Sequence, residues 1–160
     1  MLTAIRPVRA ADWPAVVSLE SAAYRDLGLS EDPGLLRGRA GAGTSFVVEA
    51  RGRVAGYLLA FPFPYGRSPD LTAAGTVVSG TGGLHQHDLV IAAEHRGGGL
   101  GSLLLAHLLD MAHDGPYRRI SLVSIARSRT FWAGHGFRPR PEVVVPAGYG
   151  PGAVYMSRPL

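Results

Sequence analysis

A β-prone apolar run, Leu89-Val90-Ile91, is followed by Arg96-Gly97-Gly98-Gly99-Leu100-Gly101, and then Leu100, Leu104, Leu108 and Met111 recur at helical steps. This order predicts a strand, a glycine turn and a helix start, with Leu105, Leu109 and Ala112 widening the helix's apolar face. Such a junction is an anion site. The N–H groups of a helix's first turn have no intrahelical partner, and the macrodipole adds about half a positive charge there. Glycines, lacking Cβ, let the backbone approach a phosphate closely, and Arg96 adds forked, permanently charged donors. The segment therefore predicts a grip on a phosphate-bearing ligand.

Two common phosphate patterns are excluded. Walker A needs a lysine, and all 16 basic residues here are Arg. A dinucleotide fingerprint begun at Gly97 and Gly99 would need a third glycine where Ser102 stands, and the acidic residue expected about 20 residues on is missing.

At 160 residues the chain is expected to form one domain, 1–160, with a substantial core. With 46% hydrophobic and 18% charged residues it is globular in composition, which argues against disorder. No apolar run reaches membrane-spanning length, and Arg6 and Asp12 interrupt any signal-peptide core, so a cytoplasmic protein without membrane contact is expected. The absence of cysteine agrees with that compartment and rules out disulfides and a cysteine nucleophile. The net charge of +4 is spread along the chain, which suits a polyanionic ligand better than a nucleic-acid surface.

In chain order, Thr3 to Val8 reads as a strand, and Asp12 as the cap of a helix that runs through Val16, Val17, Leu19 and Tyr24 to near Gly28. Leu27 to Gly43 is looser, with a short helix starting at Asp32-Pro33. Ser45–Ala50 and Val54–Phe61 flank Arg51-Gly52-Arg53 as a hairpin. Pro62 to Gly83, rich in Pro, Gly, Ser and Thr, reads as a long connection, either a surface loop or a substrate cover. After the central strand and helix, Gly115-Pro116 stops the helix, and Arg119–Ile125 forms a strand parallel to the central one. Ser128 caps a short helix, Arg129–His135; Glu142–Val145 and Ala153–Met156 read as closing strands around a glycine-rich loop that holds Tyr149.

What remains of the phosphate pattern is Arg-x-x-Gly-x-Gly at Arg96, Gly99 and Gly101, and further on Phe131-Trp132-Ala133-Gly134-His135-Gly136-Phe137 sets an aromatic pair before Gly-Phe. Together with the element order, these motifs resemble the GNAT N-acyltransferase superfamily over nearly the whole chain. The resemblance implies an α/β (α+β) fold: a mixed, strongly twisted sheet of about six to seven strands with flanking helices, splayed between two parallel central strands. Acetyl-CoA would be the co-substrate, with no metal. Main-chain groups of Leu89, Val90 and Ile91 would pair with the pantetheine, and the segment Arg96, Gly97, Gly98, Gly99, Leu100, Gly101 and Ser102 would hold the diphosphate. The N–H of Val90 would face the thioester oxygen, and a primary amine of a small molecule or peptide would attack it directly. A homodimer is also among the states such a resemblance implies.

In much of the family a tyrosine protonates the leaving thiolate. Trp132 stands at that position here; its indole N–H donates a hydrogen bond but is no acid at neutral pH. Tyr149 and Ser128 are the substitutes, unless they serve as a packing residue and a helix cap. For the base, His87 is favoured, directly or through water, with Asp88 orienting it or binding the acceptor. The competing readings are a hydrogen-bonded pair at a strand start, or a His85-x-His87 metal site lacking a third ligand. Regular alternation puts His85 and His87 on one face and Asp88 on the other; a bulge would change that assignment. Two other functions fit the same motifs: an acyl-CoA-binding module without transfer, and a nucleotide-phosphate binder unrelated to CoA.

Overall fold

The computed structural model describes residues 3–74, 77–125 and 127–160. Among the described residues, a seven-stranded sheet in the order β1-β2-β3-β4-β5-β7-β6 carries four α-helices. The strands are β1 (Thr3–Pro7), β2 (Phe46–Ala50), β3 (Arg53–Pro62), β4 (Gly83–Ile91), β5 (Arg119–Ser124), β6 (Arg138–Pro139) and β7 (Val154–Pro159). The helices are α1 (Trp13–Tyr24), α2 (Pro33–Arg37), α3 (Leu100–His113) and α4 (Arg129–Gly134). Among the described residues no helix is long and apolar enough to cross a membrane.

The β2–β3 hairpin forms where its turn chemistry dictates. Arg51 and Gly52 both have positive φ, 53° and 75°, as a two-residue type I′ turn requires. β4 is the pivot of the sheet. It pairs antiparallel with β3 along its length, but parallel with β5 only where Gly83–His85 meet Arg119–Ser121. Beyond that the two strands part, while β5 stays paired with β7 as far as Ser124 and Val154. The sheet is thus opened between its parallel strands, as the family resemblance implied.

Each face of the sheet has its own core. Leu100, Leu104, Leu105, Leu108 and Ala112 of α3 pack on Val48, Leu58, Leu84, Leu122 and Met156. On the other face, Trp13 and Val16 of α1 and Leu36 of α2 cover Val47, Tyr57, Leu59 and Val90. Burying one such leucine contributes roughly 1.5–3 kcal/mol.

Two local expectations fail at the ends of the chain's first helix and last strand pair. Asp12 makes no side-chain bond to α1; its carboxylate takes the Arg6 guanidinium at 2.7 and 2.8 Å and the Arg9 N–H at 2.7 Å. Glu142–Val145 is not a strand. The outer partner of β7 is Arg138–Pro139, and Val144 stands 87% exposed, because the β-branched run has no face to bury.

Candidate active site

One extra residue in β4 builds the site. Leu59 pairs with Asp88 but the next residue, Ala60, pairs with Gln86, so His87 has no partner in β3 and bulges. The bulge shifts the phase of the strand. Leu84 and Leu89, an odd number of positions apart, both pack toward α3. The regular alternation of the sequence reading is therefore broken, and His87 and Asp88 both line one pocket of about 650 Å³. His85 faces the interior instead. It lies 3.3 Å from the Ser121 hydroxyl, and burial, reinforced by His87 and Arg39, pulls its pKa well below the ordinary value.

The pocket floor is a buried polar chain. Arg39, fully buried, donates to Glu31 Oε2 from Nε (3.0 Å) and Nη2 (2.8 Å), and from Nη2 to the carbonyls of Asp70 (2.8 Å) and Ala73 (3.1 Å). Glu31 Oε1 contacts His87 Nε2. Burial pushes the Glu31 carboxyl upward, but its bonds to His87 and Arg39 outweigh this and hold it below the usual carboxylate range. The His87 side chain is only 2% exposed, and among the described residues its Nδ1 has no partner. Tyr57 donates to Asp88 Oδ2 at 3.1 Å. Burial raises Asp88 to about 6, with Glu31 and Glu20 adding to the rise and His87 and Tyr57 opposing it. Behind them Glu20 accepts from the Ser30 hydroxyl (2.5 Å) and the Glu31 N–H (2.7 Å).

Glu31 also supplies the third group that a metal reading lacked: one ligand atom each from Glu31, His87 and Asp88 lie within 4.8 Å of one another. Both Glu31 oxygens are already engaged, by His87 and by Arg39, while Asp88 is held separately by the Tyr57 hydroxyl. Sequence reasoning missed Glu31, Arg39 and Tyr57. Glu31 and Arg39 fall in a stretch with no motif, and an arginine in a chain whose cations are all arginine carries no signal.

The opening beside β5 has its own geometry. Ala92 N–H donates to Ala55 O at 2.8 Å, and ladder alternation then turns the main-chain groups of Val90 and Asp88 toward β3. Those of Leu89 and Ile91 face the opening. This corrects the expectation for Val90, whose N–H belongs to the ladder. Arg96, exposed, lies across the mouth and donates from Nε to Ile91 O at 3.1 Å. Gly99 caps α3 with φ 85° and no side-chain bond, leaving the N–H groups of Leu100, Gly101 and Ser102 without intrahelical partners. A Cβ at Gly97 or Gly99 would meet nothing within 4 Å; the left-handed backbone, not crowding, demands glycine there. Ser102 Oγ and His135 Nε2, 3.1 Å apart, join the start of α3 to the end of α4.

The remaining expected residues are also at the pocket. Trp132 lines it, packed edge-on against Phe131 and Phe137. The Ser128 hydroxyl donates to Ile125 O at 2.7 Å and makes no cap bond to α4. Tyr149 is buried, its pKa raised by burial, and its hydroxyl donates to Pro69 O at 2.6 Å. It fastens the described part of the Pro62–Gly83 connection over the pocket. In Tyr149→Phe we expect a loss of about 1–3 kcal/mol in stability, from the bond and the orphaned carbonyl, with kcat within about threefold of the parent. A drop of a thousandfold in kcat, read from initial rates, would restore Tyr149 as the acid.

A sheet opened between parallel strands, with a glycine turn and a helix N-terminus beside the gap, is the architecture of the GNAT fold. The chain belongs to the GNAT family: the family model described as Acetyltransferase (GNAT) family matches residues 9–137. Among solved structures, the GphF GNAT-like decarboxylase in complex with isobutyryl-CoA is similar with a TM-score of 0.82 at 21% identity, covering 98% of each chain. The loading GNATL domain of CurA from Lyngbya majuscula gives 0.80 at 14% identity, covering 99% of this chain and 98% of that one. N-acetylglutamate synthase from Neisseria gonorrhoeae, complexed with coenzyme A and N-acetyl-glutamate, gives 0.75 at 19% identity; all of this chain spans 35% of that one. No curated protein matches the chain in sequence.

Proposed function

We propose that the protein is an acetyl-CoA-dependent N-acyltransferase that passes the acyl group directly to a primary amine. The observation that carries this reading is the meeting of two features. The unpaired edge of β4 at Leu89 and Ile91 opens beside the carboxylate of Asp88, in one pocket.

The residues present fit a pantetheine diphosphate. The main-chain groups of Leu89 and Ile91 offer the bonds of an added strand, and the free N–H groups at the start of α3 with Arg96 receive the diphosphate. Acetyl-CoA supplies an activated thioester when bound. Asp88 holds the ammonium by its carboxylate and takes one proton, which frees the lone pair for attack; the second N–H proton, lost as the amide forms, goes to the leaving thiolate, and Tyr57 positions the carboxylate through Oδ2. This exchanges the roles read from sequence: His87 is enclosed and tied to Glu31, and it supports the base. The N–H groups turned into the opening stabilise the developing oxyanion, and Trp132 closes the wall near the leaving thiolate without serving as an acid.

The pH profile tests the base. With Glu31, Glu20, Tyr24, Tyr57, Tyr149 and His87 around Asp88, its ionisation near pH 6 should set the acidic limb. We expect kcat/KM to fall about tenfold per pH unit below about 6. A profile flat from pH 8 to 5 would remove Asp88 as base. The wider reading is tested by thermal shift and thiol release. Acetyl-CoA should protect better than ATP, and some amine should release free thiol. Tight acetyl-CoA binding with no thiol release across an amine panel would instead support a non-catalytic acyl-CoA-binding module, the alternative that Trp132 at the acid position favours.

A further inference from the structure

We infer that the acceptor is a small amine that enters as its ammonium ion and carries an apolar body, with no carboxylate beside the amino group. This rests on the acyl-transfer reading and names its acceptor class. The first argument is charge. Asp88 and Glu20 are both buried, and among the described residues neither has a cationic partner. Arg39, the cation of that interior, is taken up by Glu31 and two carbonyls. A buried carboxylate with no counter-ion is costly, and an entering ammonium relieves that cost. The second argument is the orphaned Nδ1 of His87, a polar atom in a nearly fully buried side chain lining the same pocket.

The third argument is shape. Leu27, Leu29 and Leu71 wall the pocket, and Tyr149 adds an aromatic face. An apolar body is welcome there, and a carboxylate would have to sit close to Asp88 and Glu31. The exposed arginines that also border the pocket, Arg96 and Arg127, follow the ends of β4 and β5, on the side of the cofactor opening.

Matched ligands test the proposal. Phenethylamine and phenylalanine share one body and differ by the carboxylate; 3-phenylpropionate keeps the carboxylate without the amine. Each is titrated calorimetrically into the CoA-loaded protein at pH 8. We expect phenethylamine to bind at least tenfold tighter than either of the others, and its affinity to fall at least tenfold in Asp88→Asn. Phenylalanine binding as tightly as phenethylamine, no amine binding, or an Asp88→Asn protein with unchanged affinity would each overturn the inference. Acetyl-CoA binding is measured on the same samples and confirms that Asp88→Asn is folded. If acetyl-CoA binds and phenethylamine does not, only the acceptor class falls; if acetyl-CoA does not bind, the transfer reading falls with it.

Discussion

Asp88→Asn is expected to lower kcat by about 10²–10⁴-fold, the range that a positioned general base contributes, while making the protein more stable at pH 8. The two effects have one origin. Folding raises Asp88 from 3.8 to about 6, so the native state holds the proton over a pH range where the unfolded chain has lost it. Stability from this group therefore falls as pH rises from about 4 to about 6, and the loss persists above that. A shift of this size corresponds to roughly 1–3 kcal/mol at pH 8, which asparagine removes while still accepting the Tyr57 hydroxyl. Initial rates and denaturant midpoints check the pair of outcomes. A variant that is slower and also less stable would mean that Asp88 is structural.

The second large effect concerns the buried ion pair. Arg39→Met should cost about 3–5 kcal/mol, because it leaves the Glu31 carboxylate without its cation and the Asp70 and Ala73 carbonyls without a donor. Methionine fills the space of the aliphatic stem, so the loss measures charge and hydrogen bonds more than packing. Adding Glu31→Gln should recover part of the stability, since the uncompensated charge is then gone. Urea unfolding of the two single variants and the double variant gives the coupling. Additive losses would mean that the pair is not the unit described.

The frame of the protein was legible in its sequence. The glycine turn after Leu89-Val90-Ile91, the hairpin around Arg51-Gly52 and the parallel strand after Gly115-Pro116 all depend on short-range rules, namely period, turn chemistry and helix stops. The central strand begins earlier than its apolar run, at Gly83, because His85 and Gln86 are buried polar residues that hydropathy does not flag. The site was half legible. His87 and Asp88 stood out, but that both line one pocket depends on a one-residue bulge, and strand sequence does not announce where a ladder slips. Glu31 meets His87 from 56 positions away, a distance over which no local pattern extends. Val90 was misassigned for a similar reason: which N–H faces a gap depends on the parity of pairing with β3.

The connection between β3 and β4 is fastened by Arg39 to Asp70 O and Ala73 O, by Tyr149 to Pro69 O and by the Tyr155 hydroxyl to the Gly66 N–H. Every one of those anchors grips a main-chain group of the connection and none of its side chains. The cover of the pocket can therefore change its side chains while its moorings hold. On the proposed acyl-transfer reading, point substitution in that one span would retune the choice of amine and leave the cofactor-binding parts of β4 and α3 untouched.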